Sequence, residues 1–192
     1  MIRSALRLAA IAAVLLLPIA GCMGPQGDTV ASQRKAAQNM RSDTLAKLYK
    51  IRPGSRQAVR QAVGYAVFSN VGVNVFFVSG GTGYGIVRDN RSRKDTYMKM
   101  ASGGLGLGIG VKDFRGVFVF TKRKAMRQFV TEGWDASAQA DAAAKAGKKG
   151  GALAGAVDVA PGIKLYQITE NGLALQATVQ GTKYWKDDDL NR

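Results

Sequence analysis

The stretch 98-MKMASGGLGLGIGVKDFRGVFVF-120 decides how the rest of the chain is read. Leu105, Leu107, Ile109 and Val111 alternate with Gly104, Gly106, Gly108 and Gly110. A period of two belongs to a β-strand, with four apolar side chains on one face and bare backbone on the other. Val117 to Phe120 forms a second apolar run, and Lys112 to Gly116 separates the two. The pair predicts a β-hairpin. Glycine weakens a strand and marks a place where something comes close to the backbone. Two occupants suit the bare face: a helix packed on it, or an acyl chain lying along it. A nucleotide loop does not, because the run lacks the Gly-Lys-Ser/Thr ending and keeps a strand's regular alternation.

Upstream, Gly64-Tyr65-Ala66-Val67-Phe68 reads as a buried strand, and Gly80 to Gly85 leads into another at Ile86 to Arg88. Val71 to Val78 is apolar without a clean period and chooses neither helix nor strand. A loop from Asp89 to Asp95 follows, then an alternating run from Thr96 to Ala101. If strands 84–88, 96–101, 104–111 and 117–121 form a meander, each pairing with the next, the turns at 89–95 and 112–116 share one end of the sheet. Arg88, Arg91, Arg93, Lys94, Lys112 and Arg115 then converge there as a candidate contact for an anionic surface. Lys122, Arg123, Lys124 and Arg127 form a second patch at the opposite end.

Thr29 to Ile51 favours helix, with Ala37, Met40, Thr44, Leu48 and Ile51 on one stripe that packs on a sheet or lies on a membrane surface. Pro53-Gly54 breaks it, and Ser55 caps a short second helix. Thr121 caps a third, running to Gly133 with Met126, Phe129 and Val130 turned inward. Trp134 to Ala142 alternates and reads as a strand, and Lys145 to Gly155 as a Gly/Ala/Lys loop. Ile163 to Thr169 and Leu173 to Val179 flank Asn171-Gly172, the strongest short-range hairpin signal. Trp185 either closes the core or settles at a bilayer interface. Asp187 to Asp189 reads as a solvated tail rather than an acid/base pair.

The chain of 192 residues has room for one domain with a proper core. Its 28 Lys and Arg against 13 Asp and Glu, and a pI near 10.3, call for an anionic partner. There is no histidine and one cysteine, which removes imidazole and thiolate metal sites, triad catalysis and any disulfide within the chain. No catalytic residue, metal or cofactor is expected.

Arg3 and Arg7 precede the apolar run Leu8 to Ala20. As a helix it would reach roughly 20 Å, short of a ~30 Å hydrocarbon core. It therefore reads as a signal peptide, residues 1–21. Its end, Ile19-Ala20-Gly21-Cys22, resembles a bacterial lipobox, with Cys22 as lipid acceptor (palmitate among its chains). Residues 22–28 form an acylated tether and 29–192 a single domain. Met23 after the cysteine favours the outer membrane, facing the periplasm. Losing residues 1–21 removes two arginines and no acid, bringing +15 to +13. A basic domain in the envelope meets little nucleic acid; anionic phospholipids are the nearest partner. The alternative is a structural protein touching peptidoglycan, lipopolysaccharide or another envelope protein. The sequence sets no oligomeric state.

Five pieces in order resemble the SYLF domain family, lipid-binding domains of Ysc type: Gly64 to Phe68, Gly80 to Val87, Ser102 to Gly108, Phe118 to Phe120 with its helix, and Ile163 to Gly181. The resemblance covers roughly residues 53–190. It implies an α+β fold of antiparallel hairpins packed with a few helices, as two BON-like units in permuted order. It also implies acidic-phospholipid binding without catalysis. The strand Leu175 to Val179 departs from the glycine- and serine-containing strand of eukaryotic members, and no SH3 or FYVE module is attached.

Overall fold

A computed structural model of the chain describes residues 24–75, 78–105, 110–135, 156–169, 172–174 and 181–192. Helix α1 spans Val30–Ile51. Thr29 and Ser32 cap it reciprocally: the Thr29 hydroxyl accepts from the Ser32 amide at 3.1 Å, and the Ser32 hydroxyl accepts from the Thr29 amide at 3.0 Å. Helix α2, Ser55–Gln61, follows the Pro53-Gly54 break. Helix α3 is Arg123–Thr131.

Nine strands among the described residues build one antiparallel sheet. They are β1 Gly64–Val75, β2 Val78–Asp89, β3 Asp95–Leu105, β4 Gly110–Phe120, β5 Trp134–Asp135, β6 Val157–Ala160, β7 Ile163–Thr169, β8 Gly172–Ala174 and β9 Thr182–Lys186. The order is β5-β9-β3-β2-β1-β4-β7-β6, with β8 paired to β7. The architecture is α+β, as expected. One continuous sheet does not by itself divide into two BON-like units.

The expected hairpin inside 98–120 does not form. Residues 112–116 are the middle of β4 rather than a turn, and β4 pairs with β1 and β7, not β3. The expected strand 104–111 is also divided: Gly104 and Leu105 end β3, and Gly110 and Val111 open β4. Bare glycine positions offer no side-chain pairing to set a register. Residues 106–109 lie outside the described residues, as does everything in 136–155. Of the open stretch 71–78, residues 71–75 belong to β1 and Val78 to β2, with 76–77 outside the described residues, and Gly80 to Gly85 lies within β2. The expected pairing of the two last apolar runs forms between β7 and β8, but Thr169 lies opposite Gly172, so Gly172 opens β8 instead of sitting in the turn; Asn171 and 175–180 lie outside the described residues. The strand expected from Trp134 is described only for Trp134 and Asp135.

The two sheet faces carry separate cores. On one, Ala66, Phe68, Phe118 and Phe120 meet Met126 and Phe129 of α3, closed by Trp134 and Tyr184. Phe68 and Tyr184 rings cross edge to face at 4.7 Å, a contact worth about 0.5–1.5 kcal/mol beyond area burial. Gly85 makes room for this cluster: a Cβ there would strike the Phe68 ring and the Val67 carbonyl. On the other face Val67, Val117, Val119 and Ile168 pack under Met40 and Leu48 of α1 and Val59 of α2. The α1 stripe is thus a sheet-packing face, though Ile51 at its end stays exposed.

Of the acidic run read as a solvated tail, Asp188 and Asp189 are exposed, but Asp187 locks the chain to the sheet. Asp187 is buried, accepts from the Asp189 and Leu190 amides at 3.1 and 3.2 Å, and pairs with Lys99 at 3.3 Å. Asn191 donates to the Tyr97 carbonyl at 2.7 Å, and Arg34 of α1 to that of Leu190 at 2.9 Å. Trp185 is half-buried, opposite Lys99.

Candidate functional site

The β1–β4 pairing relocates the charge. Gly64 faces Asp89 on one side and Phe120 on the other. The exit of β4 therefore lies at the same end of the sheet as the 89–95 turn. Lys122, Arg123, Lys124 and Arg127 stand beside that turn, where opposite ends were expected.

The turn is held from both sides. Asp89 Oδ1 accepts from the Arg91 and Ser92 amides at 2.8 and 3.2 Å, the self-bonding that makes aspartate a turn residue. Its Oδ2 accepts from Arg123 Nη1 at 2.8 Å. That bond first, and the two amides after it, hold the Asp89 carboxyl below the usual carboxylate range against some desolvation. On the other side Asn90 Nδ2 donates to the Val59 and Ala62 carbonyls at 2.8 and 2.9 Å, satisfying groups that the end of α2 leaves without partners. Arg93 sits at φ 57°, a left-handed position that ordinarily falls to glycine or asparagine.

Arg91, Arg93, Lys94, Lys122, Lys124 and Arg127 are all exposed here. Among the described residues none of them forms an ion pair. Three cations also open α3, with no acid in its first turn. The positive end of a helix dipole disfavours that placement by some tenths of a kcal/mol for each charge. An anion at this end relieves the repulsion.

Two members of the expected first patch do other work, and a third lies away from the turn. Arg88 pairs with Asp95 at 2.9 Å, and Arg41 of α1 reaches the same oxygen at 2.8 Å, so Arg88 ties sheet to helix. Arg115 lies in mid-strand opposite Ser69 and Ile168, donating to the Thr44 hydroxyl at 3.3 Å beneath α1. Lys112 stands opposite Gly72, several residues from the turn end. Both were expected in a turn because the β3–β4 hairpin was expected. Cys22 lies outside the described residues.

Between the 89–95 turn and α3 runs an open cleft of about 170 Å³. Lys94, Ser92, Asp89 and Thr96 line one side, Arg127 and Thr131 the other, over Val87, Met126 and Val130. Asp89, Asn90 and this cleft were missed in the sequence. Asp-Asn-Arg-Ser between two strands signals a tight turn, but nothing local says which helix it meets.

Residues 101–192 match the family model Ysc84, described as Las17-binding protein actin regulator. The chain is also 35% identical over 161 residues to Beta cell expansion factor A of Aeromonas veronii, covering 83% of this chain. It spans about 60% of that relative's length. Through this match and this likeness, the C-terminal segment 101–192 belongs to the Ysc84, or SYLF, family.

Proposed function

We propose that this protein is a non-catalytic, lipid-anchored envelope protein whose basic sheet end rests on anionic phospholipid. The observation that carries the reading is the Arg123–Asp89 bond, which joins two basic segments into one surface. Each Lys or Arg near an anionic leaflet contributes about 1 kcal/mol, so six give several kcal/mol within a Debye length of roughly 10 Å. That suffices to orient a domain already tethered. Cys22, with two or three acyl chains, supplies the tether, since one chain alone binds only marginally. The site is an outer membrane's periplasmic face, where phosphatidylglycerol or cardiolipin supplies the charge. The family's description names an actin regulator; the surface here favours lipid because six of its exposed cations form no ion pair among the described residues.

Flotation of residues 22–192 carrying Cys22→Ser, which contain every described residue, tests this. Binding to phosphatidylglycerol vesicles that weakens as salt rises, with none to neutral vesicles, is the expected result. Equal recovery on both vesicle types, or saturable retention on cell-wall sacculi alone, overturns it.

A further inference from the structure

The cleft beside the turn offers more than charge. We infer that it seats the phosphate ester of a single glycerolipid head, a deepening that rests on the membrane-facing reading above. Its volume of about 170 Å³ is well under the 300–1,000 Å³ or so of sites that enclose a drug-sized ligand. A phosphate with its first glycerol carbons fits such a space; acyl chains do not. Lys94 from the turn and Arg127 from α3 approach from opposite sides, both without ion pairs among the described residues. Charge-assisted hydrogen bonds from an ammonium and a guanidinium are the strong bonds that phosphate oxygens accept.

The carboxylate in the wall does not spoil the seat. Both Asp89 oxygens are taken, one by two backbone amides and the other by Arg123, so its charge is already answered. The Thr131 hydroxyl donates to the Arg127 carbonyl at 2.9 Å, leaving the cationic groups and the Ser92 and Thr96 hydroxyls to serve the ligand. The apolar floor separates an ester from free phosphate: Val87, Met126 and Val130 lie where methylene groups would rest. With the turn braced by Asn90 and Arg123, the backbone that carries Ser92 and Lys94 is in place before the ligand arrives, which lowers the cost of binding.

The probe is dihexanoyl phosphatidylglycerol, kept below its micelle-forming concentration and titrated into the Cys22→Ser chain. Saturable NMR shifts centred on the Met126 and Val130 methyl groups are expected. They should weaken about tenfold or more in Lys94→Gln and in Thr131→Phe, which fills the cleft without altering charge. Lys35→Gln, exposed on α1, should leave the titration unchanged. The melting temperature of each variant separates unfolding from lost binding. Shifts elsewhere, or shifts indifferent to Lys94→Gln, overturn the seat. Equal affinity for inorganic phosphate overturns the glycerolipid assignment in favour of a free-phosphate site, and tighter binding of a short oligonucleotide overturns it in favour of nucleic acid. Vesicle flotation of the Cys22→Ser chain with no further substitution is scored separately: binding there with no titratable seat leaves the membrane reading intact, and the reverse leaves the seat without it.

Discussion

Arg123, the first residue of α3, donates to the carboxylate of Asp89, the last residue of β2, at 2.8 Å. The two are 34 positions apart, and the bond turns two separate basic segments into one face. Because Arg123 and Asp89 keep 36% and 22% of their side-chain surface in solvent, the pair itself is worth only about 0–1 kcal/mol. Arg123→Ala is therefore expected to lower unfolding free energy by no more than about 1 kcal/mol in urea titration. Its larger effect should be on vesicle affinity, as the turn loses its hold on α3.

The same carboxylate gives stability a pH dependence. Its folded pKa is depressed, chiefly by Arg123. Its contribution is then fully present above the unfolded value near 3.9 and is lost as pH falls through the lower folded value. Urea midpoints of the parent should fall with acidification through that window, and Asp89→Asn should flatten the Asp89 part of the fall. An identical pH profile for both proteins would contradict this assignment.

Asn90 is a stronger brace than the ion pair. Asn90→Ala leaves the Val59 and Ala62 carbonyls at the end of α2 without their donor. A loss of about 1–3 kcal/mol is expected, measured by chemical denaturation.

Arg93 holds a left-handed φ of 57°. The conformation costs a residue with a Cβ about 1–2 kcal/mol, against which glycine loses about 0.5–1 kcal/mol of chain entropy. Arg93→Gly should leave stability unchanged or raise it by up to about 1 kcal/mol, while weakening binding to anionic vesicles. A variant that gains stability and loses binding would show that the arginine is kept for its charge.

Glycines in the sheet are not equivalent. Gly85→Ala drives a methyl group into the Phe68 ring and the Val67 carbonyl, whereas a Cβ on Gly103 meets open space. The first should cost about 1–3 kcal/mol or more from overpacking, and the second far less. Thermal melts of the two variants side by side check the contrast.

Much of this fold was legible in order but not in partnership. The α1 stripe, the Pro53-Gly54 break and α3 each rest on local chemistry, and each formed, although Lys122 and not Thr121 stands at the start of α3; β7 and β8 pair as expected, with Gly172 in strand. The pairing of β4 with β1 did not follow from anything local. Tyr65 to Phe68 and Val117 to Phe120 are both apolar runs, and only the two-faced core decides that they lie side by side. That one pairing moved Arg115 under α1 and brought Lys122 to Arg127 next to the turn. Asp187 was misread for a related reason. Composition marks an acidic run as solvated, yet its amide partners lie two and three residues on, and its cation lies on β3.

On the proposed reading, the 89–95 turn and the start of α3 act as one membrane-facing surface. Its most direct test is flotation of the Cys22→Ser chain with phosphatidylglycerol vesicles across a salt series, comparing two triple variants. In one, Arg91, Arg93 and Lys94 become serine; in the other, Lys122, Lys124 and Arg127 do. Each triple should cut affinity by tenfold or more and flatten the salt dependence, with both proteins still melting cooperatively. Full binding by either triple at low salt would contradict that reading, because half the surface would then be idle.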